Sequence, residues 1–443
     1  MEATIHEILA AREWRVEKQK ELLAKYQKPL LCFTMNIPGP EKWNRDVSAG
    51  FAVGNLLLRE SLGNIIHYES NIQNTGCTAF YVVDMAPKQL KLIAIDIEHI
   101  EHIGRLFDMD VLDINGEKIS REDLGRGSRK CLICDKDAWI CARSRAHGLE
   151  ALQNKTNTFL KEATQWLAEH IATTAHLALN QEVDTTPKPG LVDKNNQGSH
   201  KDMELQHFHA SANALRPYFC KFAQTGYLTR DLDPQDTFRQ IRAIGLAAEK
   251  AMLGATGGVN THKGAIFSMG LLCAAAGRIP PHEWTVNTLL NMCASMAKEI
   301  VTTDFAGITE ENAKTCGEQL YAKYGITGVR GEAETGFPVV KDVALPSMRA
   351  SLKQGLSINH AGCITLLHLI ANTTDTNLIN RSSRDRQLEI SRQICNLLEK
   401  DPYPTLDTIY ELDKAFIAEN LSPGGCADLL AMTYFLMNIE RTI

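Results

Sequence analysis

Two stretches of unlike texture predict an N-terminal α+β domain followed by an all-α multi-helix domain. Up to about residue 150, short runs rich in β-formers alternate with helical segments. Beyond it, nearly every segment repeats apolar residues at three- and four-residue spacing, and Gly, Pro and Asn cluster in the connections. A chain of 443 residues is long for one domain, and the division is placed at 1–175 and 176–443, within the helical stretch 149–180.

The elements follow in order. The opening "MEATIHEILAAREWRVEKQKELLAKY" is polar and amphipathic and lacks the apolar centre of a signal peptide. "KPLLCFTMNI" (28–37) and "TAFYVVDM" (78–85) are strands bounded by Pro, Gly and Asn. "APKQLKLIAIDIEHIEHI" (86–103) has helical spacing, and "GRLFDMDVLDINGEKIS" alternates before a hairpin turn at Asn115–Gly116. From "LEALQNKTNTFLKEATQWLAEHIATTAHLALN" to "LDTIYELDKAFIAENL" the segments are helices, with no repeat of fixed period.

Composition narrows the function. Apolar residues make up 44% and charged ones 23%, enough for a substantial core. The net charge of −6 is dispersed, without the basic face of a nucleic-acid binder. No apolar run approaches the ~18 residues of a membrane span. The twelve cysteines are expected as reduced thiols in a cytoplasmic protein.

Four polar, glycine-bearing inserts interrupt the helical half: "TPKPGLVDKNNQGSHKDM" (186–203), "GATGGVNTHKG" (254–264), "GITGVRGEAETGFP" (325–338) and "SPGGCADLL" (422–430). One such insert is a connector; four of similar chemistry suggest a composite site. In the second, Gly257 and Gly258 can line up backbone N–H groups. There Asn260 or Thr261 can cap the next helix, and His262 and Lys263 sit at its first turn, so that these residues and the helix N-terminus are expected to cradle a phosphate. A Walker loop is excluded, because no Gly precedes Lys263. Lys188 and Arg330 are candidate phosphate ligands. Asp193, Glu332 and Glu334 are candidates for a hydrated Mg2+ or for a cationic transition state. Glu182, Glu249 and Asp428, taken singly, read as solvated or capping acids.

Together these motifs resemble the triphosphoribosyl-dephospho-CoA synthase family, from about Leu177 onward. The resemblance implies an all-α fold and a reaction in which ATP loses adenine. The ribose 2′-hydroxyl of 3′-dephospho-CoA then attacks C1 of the ATP ribose and the triphosphate stays attached. It implies ATP and 3′-dephospho-CoA as substrates, and the acidic residues beside the phosphate ligands make Mg2+ the expected cofactor. Such a transition state resembles an oxocarbenium ion, which nearby carboxylates stabilise.

In the first half, Asp108 and Asp110 lie two apart on a strand, hence on one face, as metal ligands would, and Asp113 is expected on the other face. The alternative is an edge strand with a solvated acidic row. Arg121, Arg126, Arg129, Arg143 and Arg145 form a basic cluster suited to phosphates. Cys131, Cys134, Cys141 and His147 make a C-x2-C-x6-C-x5-H pattern that could hold zinc. Its second half departs from finger spacing, and reduced thiols in a small core are the plainer reading.

"LCFTMNIPGP", "GRLFDMDVLD" and "CLICDKDAWICARSRAH" resemble the holo-acyl-carrier-protein synthases of citrate lyase, over about 12–149. The implied reaction is attack by a serine of the apo acyl-carrier (gamma) subunit on the α-phosphate of the triphosphoribosyl precursor, with pyrophosphate leaving. Asp108 and Asp110 then fit metal ligands, Arg126 and Arg129 fit phosphate contacts, and Asn36 is a further contact. A bifunctional transferase is expected, with no nucleic-acid or membrane partner. The rival readings are an N-glycosidic hydrolase and a non-catalytic nucleotide- or CoA-binding regulator.

Overall fold

Five successive buried residues make β1 (Leu30–Met35) an interior strand. The computed structural model describes residues 2–440 and places β1 in an antiparallel sheet with β2 (Ile65–Gln73), β3 (Gly76–Val83) and β4 (Phe107–Leu112). The order is β2-β3-β1-β4, and Cys32 stands between Phe80 and Asp110. Helix α1 (Ile5–Tyr26) covers one face through Leu22 and Leu23, against Leu30, Cys32, Phe80 and Val82. Helices α2 (Arg45–Ser61) and α3 (Pro87–Glu98) cover the other, where Phe33, Phe51, Tyr81, Leu90 and Phe107 share a core.

Strand β4 is an edge, and its outer backbone is sealed by side chains of α3. Met109 donates its N–H to Glu98 at 2.7 Å, and its carbonyl accepts from Lys91 Nζ at 2.8 Å. Those buried partners leave no open ladder for a foreign strand. Phe107, Met109 and Val111 point into the core, so Asp108 and Asp110 share the opposite, α1-facing side.

The sequence reading missed β2, whose half-exposed "IIHYESNIQ" lacks a strong apolar alternation. The turn at Asn115–Gly116 forms, with Gly116 at φ +83°, but a single bridge from Leu112 to Lys118 follows it instead of a strand. Asp113 caps that turn by accepting from the amides of Asn115 and Glu117, so it does not lie on the far face of β4. The helix expected over 86–103 stops at Glu98, and a short 3-10 turn, His102–Leu106, completes the approach to β4.

A short helix, α4 (Ala138–Ser144), precedes the long α5 (Leu149–Asp184). The structure divides at Leu167/Ala168, within α5. The second unit is helical, beginning with the end of α5 and continuing through α6 (Leu205–Leu228), α7 (Pro234–Ala255) and α8 (Lys263–Arg278). Its centre is α8 with the helices Ile358–Asn372 and Gly424–Glu440, which are buried nearly all round. Glycine lets α6 and α8 touch backbone to backbone. A Cβ at Gly226 would meet the Ala274 carbonyl at 2.0 Å, and one at Gly277 the Ala223 carbonyl at 2.0 Å. No helix among the described residues is long and apolar enough to cross a membrane.

Candidate functional site

The four glycine-bearing inserts of the second unit meet around one cavity of about 1040 Å³. Lys188, Leu191 and His200 come from the first insert, and Asn260, Thr261, His262, Lys263 and Gly264 from the second. Gly325 to Gly328, Glu332 and Glu334 come from the third, and Ser422, Gly424, Gly425 and Asp428 from the fourth. A fifth segment, "NTTDTN" (372–377), joins them with Arg381 and Arg384. Sequence reasoning missed it, for it holds no glycine or lysine. The Asx-capping pattern at Asp375 is its one local signal: Asp375 accepts from the amides of Asn377 and Leu378, starting the helix Thr376–Arg381. The volume is at the upper end for small-molecule sites, with room for a nucleotide and part of a second substrate.

Five carboxylates face four cationic side chains on the lining. Lys188 is 2% exposed and pairs with Glu182 at 2.6 Å. Burial pushes the Glu182 carboxyl above its ordinary range, against the pull of Lys188. Asp428 is driven well above the carboxylate range by burial, then by the charges of Glu182 and Asp375, with the Ala265 amide opposing. Such a carboxyl holds a proton at a pH where ordinary aspartates do not. Burial likewise raises Glu332. His262 is pulled down to about 3 by burial, then by Lys188 and His209, so its imidazole is neutral. Its Nδ1 meets Ser211 Oγ at 2.7 Å.

Four buried polar atoms on this lining have no partner within the protein: Thr261 Oγ1, His262 Nε2, Glu332 Oε2 and Thr373 Oγ1. Buried polar atoms are nearly always satisfied, so four orphans around one cavity mark groups shaped for a ligand. His200 adds a fixed tautomer. Arg381 donates to its Nδ1 at 3.0 Å, so Nε2 carries the proton and donates to Ser422 Oγ at 2.9 Å.

The helix N-terminus expected to cradle phosphate is occupied differently. A Cβ at Gly264 would lie 2.0 Å from Asp428 Oδ2, so the glycine admits this carboxyl to the first turn of α8. Asn260 Oδ1 accepts from the Lys263 amide at 3.3 Å, and Lys263 Nζ pairs with Glu249 at 2.6 Å. Gly257 and Gly258 do not line the cavity. They form a left-handed turn, at φ +65° and +95°, in which the Gly258 amide is bonded to the Leu253 carbonyl. Asp193 is 3% exposed and accepts from the amides of Lys188, Asn195 and Asn196, holding the first loop together without lining the cavity. Arg330 turns away to Asp304 at 2.8 Å and lies over Phe305. Glu334 does line the cavity, but its two oxygens accept from the amides of Glu299 and Val301. Glu332 alone of the pair has an uncommitted oxygen.

The first unit has a smaller cleft, about 170 Å³, between α1 and the sheet. Arg12, Arg15, Asn36, Lys42, Asn71 and Asp108 line it. Burial, then the charge of Asp110, raises Asp108, while Arg129 Nη1 opposes from 3.4 Å. Arg129 also donates to the carbonyls of Arg105 and Phe107, which clamps it beside β4. Asp110 is paired with Lys118 at 2.6 Å and stands outside the cleft, and Arg126 is exposed. Sequence reasoning missed Arg12, Arg15 and Lys42, because the two arginines sit in a charged helix that reads as a solvated face.

Comparison with known proteins divides the chain at the same region. The family described as ATP:dephospho-CoA triphosphoribosyl transferase, CitG, matches residues 168–443. The family described as apo-citrate lyase phosphoribosyl-dephospho-CoA transferase, CitX, matches residues 3–163. The chain is 37% identical to Protein CitXG of Haemophilus influenzae, over 99% of this chain and 96% of that one. It is 34% identical to Protein CitXG of Leuconostoc mesenteroides subsp. cremoris, over 99% and 97%. A 2-(5''-triphosphoribosyl)-3'-dephosphocoenzyme-A synthase of Haemophilus ducreyi is 38% identical, over 69% of this chain and 99% of its own length.

Proposed function

The chain belongs to the CitX–CitG fusion family, with a CitX region at 3–163 and a CitG region at 168–443, and from that premise we propose how its residues divide the work. It is a bifunctional transferase that makes the citrate lyase prosthetic group and attaches it. The helical unit uses ATP and 3′-dephospho-CoA as substrates.

In the large cavity, Lys263, Arg381 and Arg384 receive the triphosphate, which is retained and must be gripped away from the reacting carbon. At the other end, adenine departs from the ribose, and a proton delivered to the purine eases that departure. Asp428 is assigned as the donor, since its environment keeps it protonated. The carboxyl assigned to stabilise the oxocarbenium character at the ribose carbon is Glu182, held rigid by Lys188. His262, neutral, offers Nε2 as acceptor for the 2′-hydroxyl proton of dephospho-CoA. Water must be kept from the ribose carbon, which is a reason for enclosing it among buried loops.

The residues fit a Mg2+ ion at one point, the uncommitted Glu332 Oε2. An ion held there would neutralise triphosphate charge that four cations among five carboxylates leave unbalanced. Glu334 and Asp193 have their oxygens committed to amides and are not assigned to it.

In the first unit, the proposed partner is the apo acyl-carrier subunit of citrate lyase. A cleft of about 170 Å³ holds the reacting phosphates, not the whole precursor. Arg12, Arg15 and Lys42 bind those phosphates, and Asp108 takes the serine proton or holds a metal ion, with Asn36 completing the rim. Pyrophosphate is the leaving group.

One observation carries the assignment: four glycine-bearing loops and four orphaned polar atoms share a single cavity. The test incubates the whole chain with ATP, Mg2+ and dephospho-CoA, then adds apo carrier. Adenine should appear only with dephospho-CoA, and pyrophosphate only with carrier. Adenine release from ATP alone would make the unit a hydrolase, and ATP binding without turnover would make it a regulator.

A further inference from the structure

The segment that follows β4 raises a question that the transfer chemistry does not answer. Among residues 121–148, the buried ones are Cys131 and Cys141 alone. Trp139 is 60% exposed, and Ile133 and Ile140 are also exposed. Helix α4 has seven residues, too few to stand by itself in water. Of its apolar side chains Leu132, partly buried, packs against the core of the sheet, and a segment with so little apolar packing needs another kind of staple.

The four residues of the cysteine–histidine pattern supply one. The sulfurs of Cys131, Cys134 and Cys141 and a ring nitrogen of His147 all lie within 4.8 Å of one another. Cys134 Sγ is 3.5 Å from Cys141 Sγ and 3.4 Å from His147 Nε2. Tetrahedral zinc, with bonds of about 2.3 Å to sulfur and about 2.0 Å to nitrogen, sets S···S near 3.8 Å and S···N near 3.5 Å. A disulfide needs about 2.05 Å. The spacing is that of ligands around an ion.

The backbone supports it. Cys131 and Cys134 flank a tight turn closed by Cys131 N–H to the Lys136 carbonyl at 2.7 Å, with a bridge between Lys130 and Asp137. Within that turn the Ile133 amide points at Cys131 Sγ, 3.5 Å away, as amides do toward metal-bound thiolates. Cys141 comes from α4, and His147 follows the left-handed Arg145.

We propose that Cys131, Cys134, Cys141 and His147 bind one structural zinc ion, and that this ion fixes Arg129 beside Asp108. Binding replaces the thiol protons, which pass to solvent. All four positions are filled by protein, so the ion is closed to substrate. Arg129 stands two residues before the first ligand, and Arg105 donates to the carbonyls of Lys130 and Cys131, tying the turn back to the entry of β4.

The test uses the full chain, purified without metal-affinity resin, with metal content measured by mass spectrometry. One zinc per chain is expected, falling to a small fraction in Cys134→Ser and His147→Asn. Replacement by Co2+ should give the intense visible bands of a tetrahedral site with thiolate charge transfer. Hydrogen exchange over 121–148 should rise sharply when the metal is removed. Carrier loading should then fall about tenfold or more, with adenine release unchanged. If the variants do not fold, the wild-type cobalt spectrum decides. Metal-free protein that gives no such spectrum, zinc that survives both substitutions, or a Cys134–Cys141 disulfide in place of metal would each overturn the assignment.

Discussion

The two proposed sites would handle the same polyphosphate chemistry with opposite materials. The large cavity is built of loops whose charged groups are buried and mostly committed to one another, as Lys188 is to Glu182 and Asp375 to three amides. The small cleft lies beside an edge strand, and its cations Arg12 and Arg15 stand on one helix with water at hand. The difference follows from what is done to the triphosphate. Where, on the proposed assignment, it is kept and a sugar–base bond breaks, a buried carboxyl with raised pKa, Asp428, would supply the proton. Where its own phosphorus is attacked, donors reaching a solvent-facing carrier matter more.

The largest effect should come from removing the proton of Asp428. Asp428→Asn should lower adenine release by about 10² to 10⁴-fold and leave carrier loading from supplied precursor intact. The pH dependence has a definite sign. Asp428 is raised in the folded protein, so the donor is present at low pH and is lost as pH rises through that raised value. The alkaline limb of the adenine-release profile should vanish in Asp428→Asn, and a wild-type profile flat on that side would remove Asp428 from the role. In the other unit, Asp108→Asn should cost about 10²-fold in carrier loading and nothing in adenine release. Losses in both reactions from either substitution would mean that the two sites are not separate.

The sequence made much of this legible, and the limits have physical causes. Strands β1, β3 and β4 were readable because buried strands carry unbroken or alternating apolar residues, and β2 was not because both its faces are half-exposed. Gly-rich inserts pointed to the cavity loops, since glycine is needed where backbones and carboxyls crowd, as Asp428 crowds Gly264. Yet glycine says nothing of what fills the space: Gly257 and Gly258 only turn the chain, and Asp428, readable as a plain capping acid, stands at the helix N-terminus proposed for phosphate. Arg330 and Asp193 were indistinguishable from ligands because an ion pair with Asp304, or three loop amides, is set by residues far from or hidden within the motif.

A smaller effect concerns stability and sharpens the contrast in burial. His262 is 3% exposed, and its folded pKa is about 3, below the value near 6.5 of a free imidazole. The unfolded chain therefore takes up a proton that the folded chain refuses between those values. Stability contributed by this histidine is complete above about pH 6.5 and declines as pH falls toward about 3. About 2 kcal/mol should be lost between about pH 7 and about pH 5, measured by urea unfolding of the helical unit's transition. His262→Gln should remove that part of the slope. No titratable group of the small cleft is both so buried and so depressed, so the first unit should show no matching loss.

The smallest effect tests the cleft itself. Arg15 lines it, and its Nε is buried without a partner, whereas Lys42 already donates to the Ile37 carbonyl at 2.6 Å. Arg15 thus has a donor unspent, and Arg126, though nearer in sequence to the acidic strand, is exposed and lines no cleft. Guanidinium contacts to phosphate are worth more than neutral hydrogen bonds, but solvent and salt reduce them at a half-open site. Arg15→Gln should raise KM for the precursor about tenfold with kcat nearly unchanged, and the gap from wild type should narrow at high salt. Arg126→Gln should change KM by no more than about twofold. The reverse ranking would move the phosphates off α1 and onto the basic segment after β4, and the contrast between the two sites would have to be redrawn around that segment.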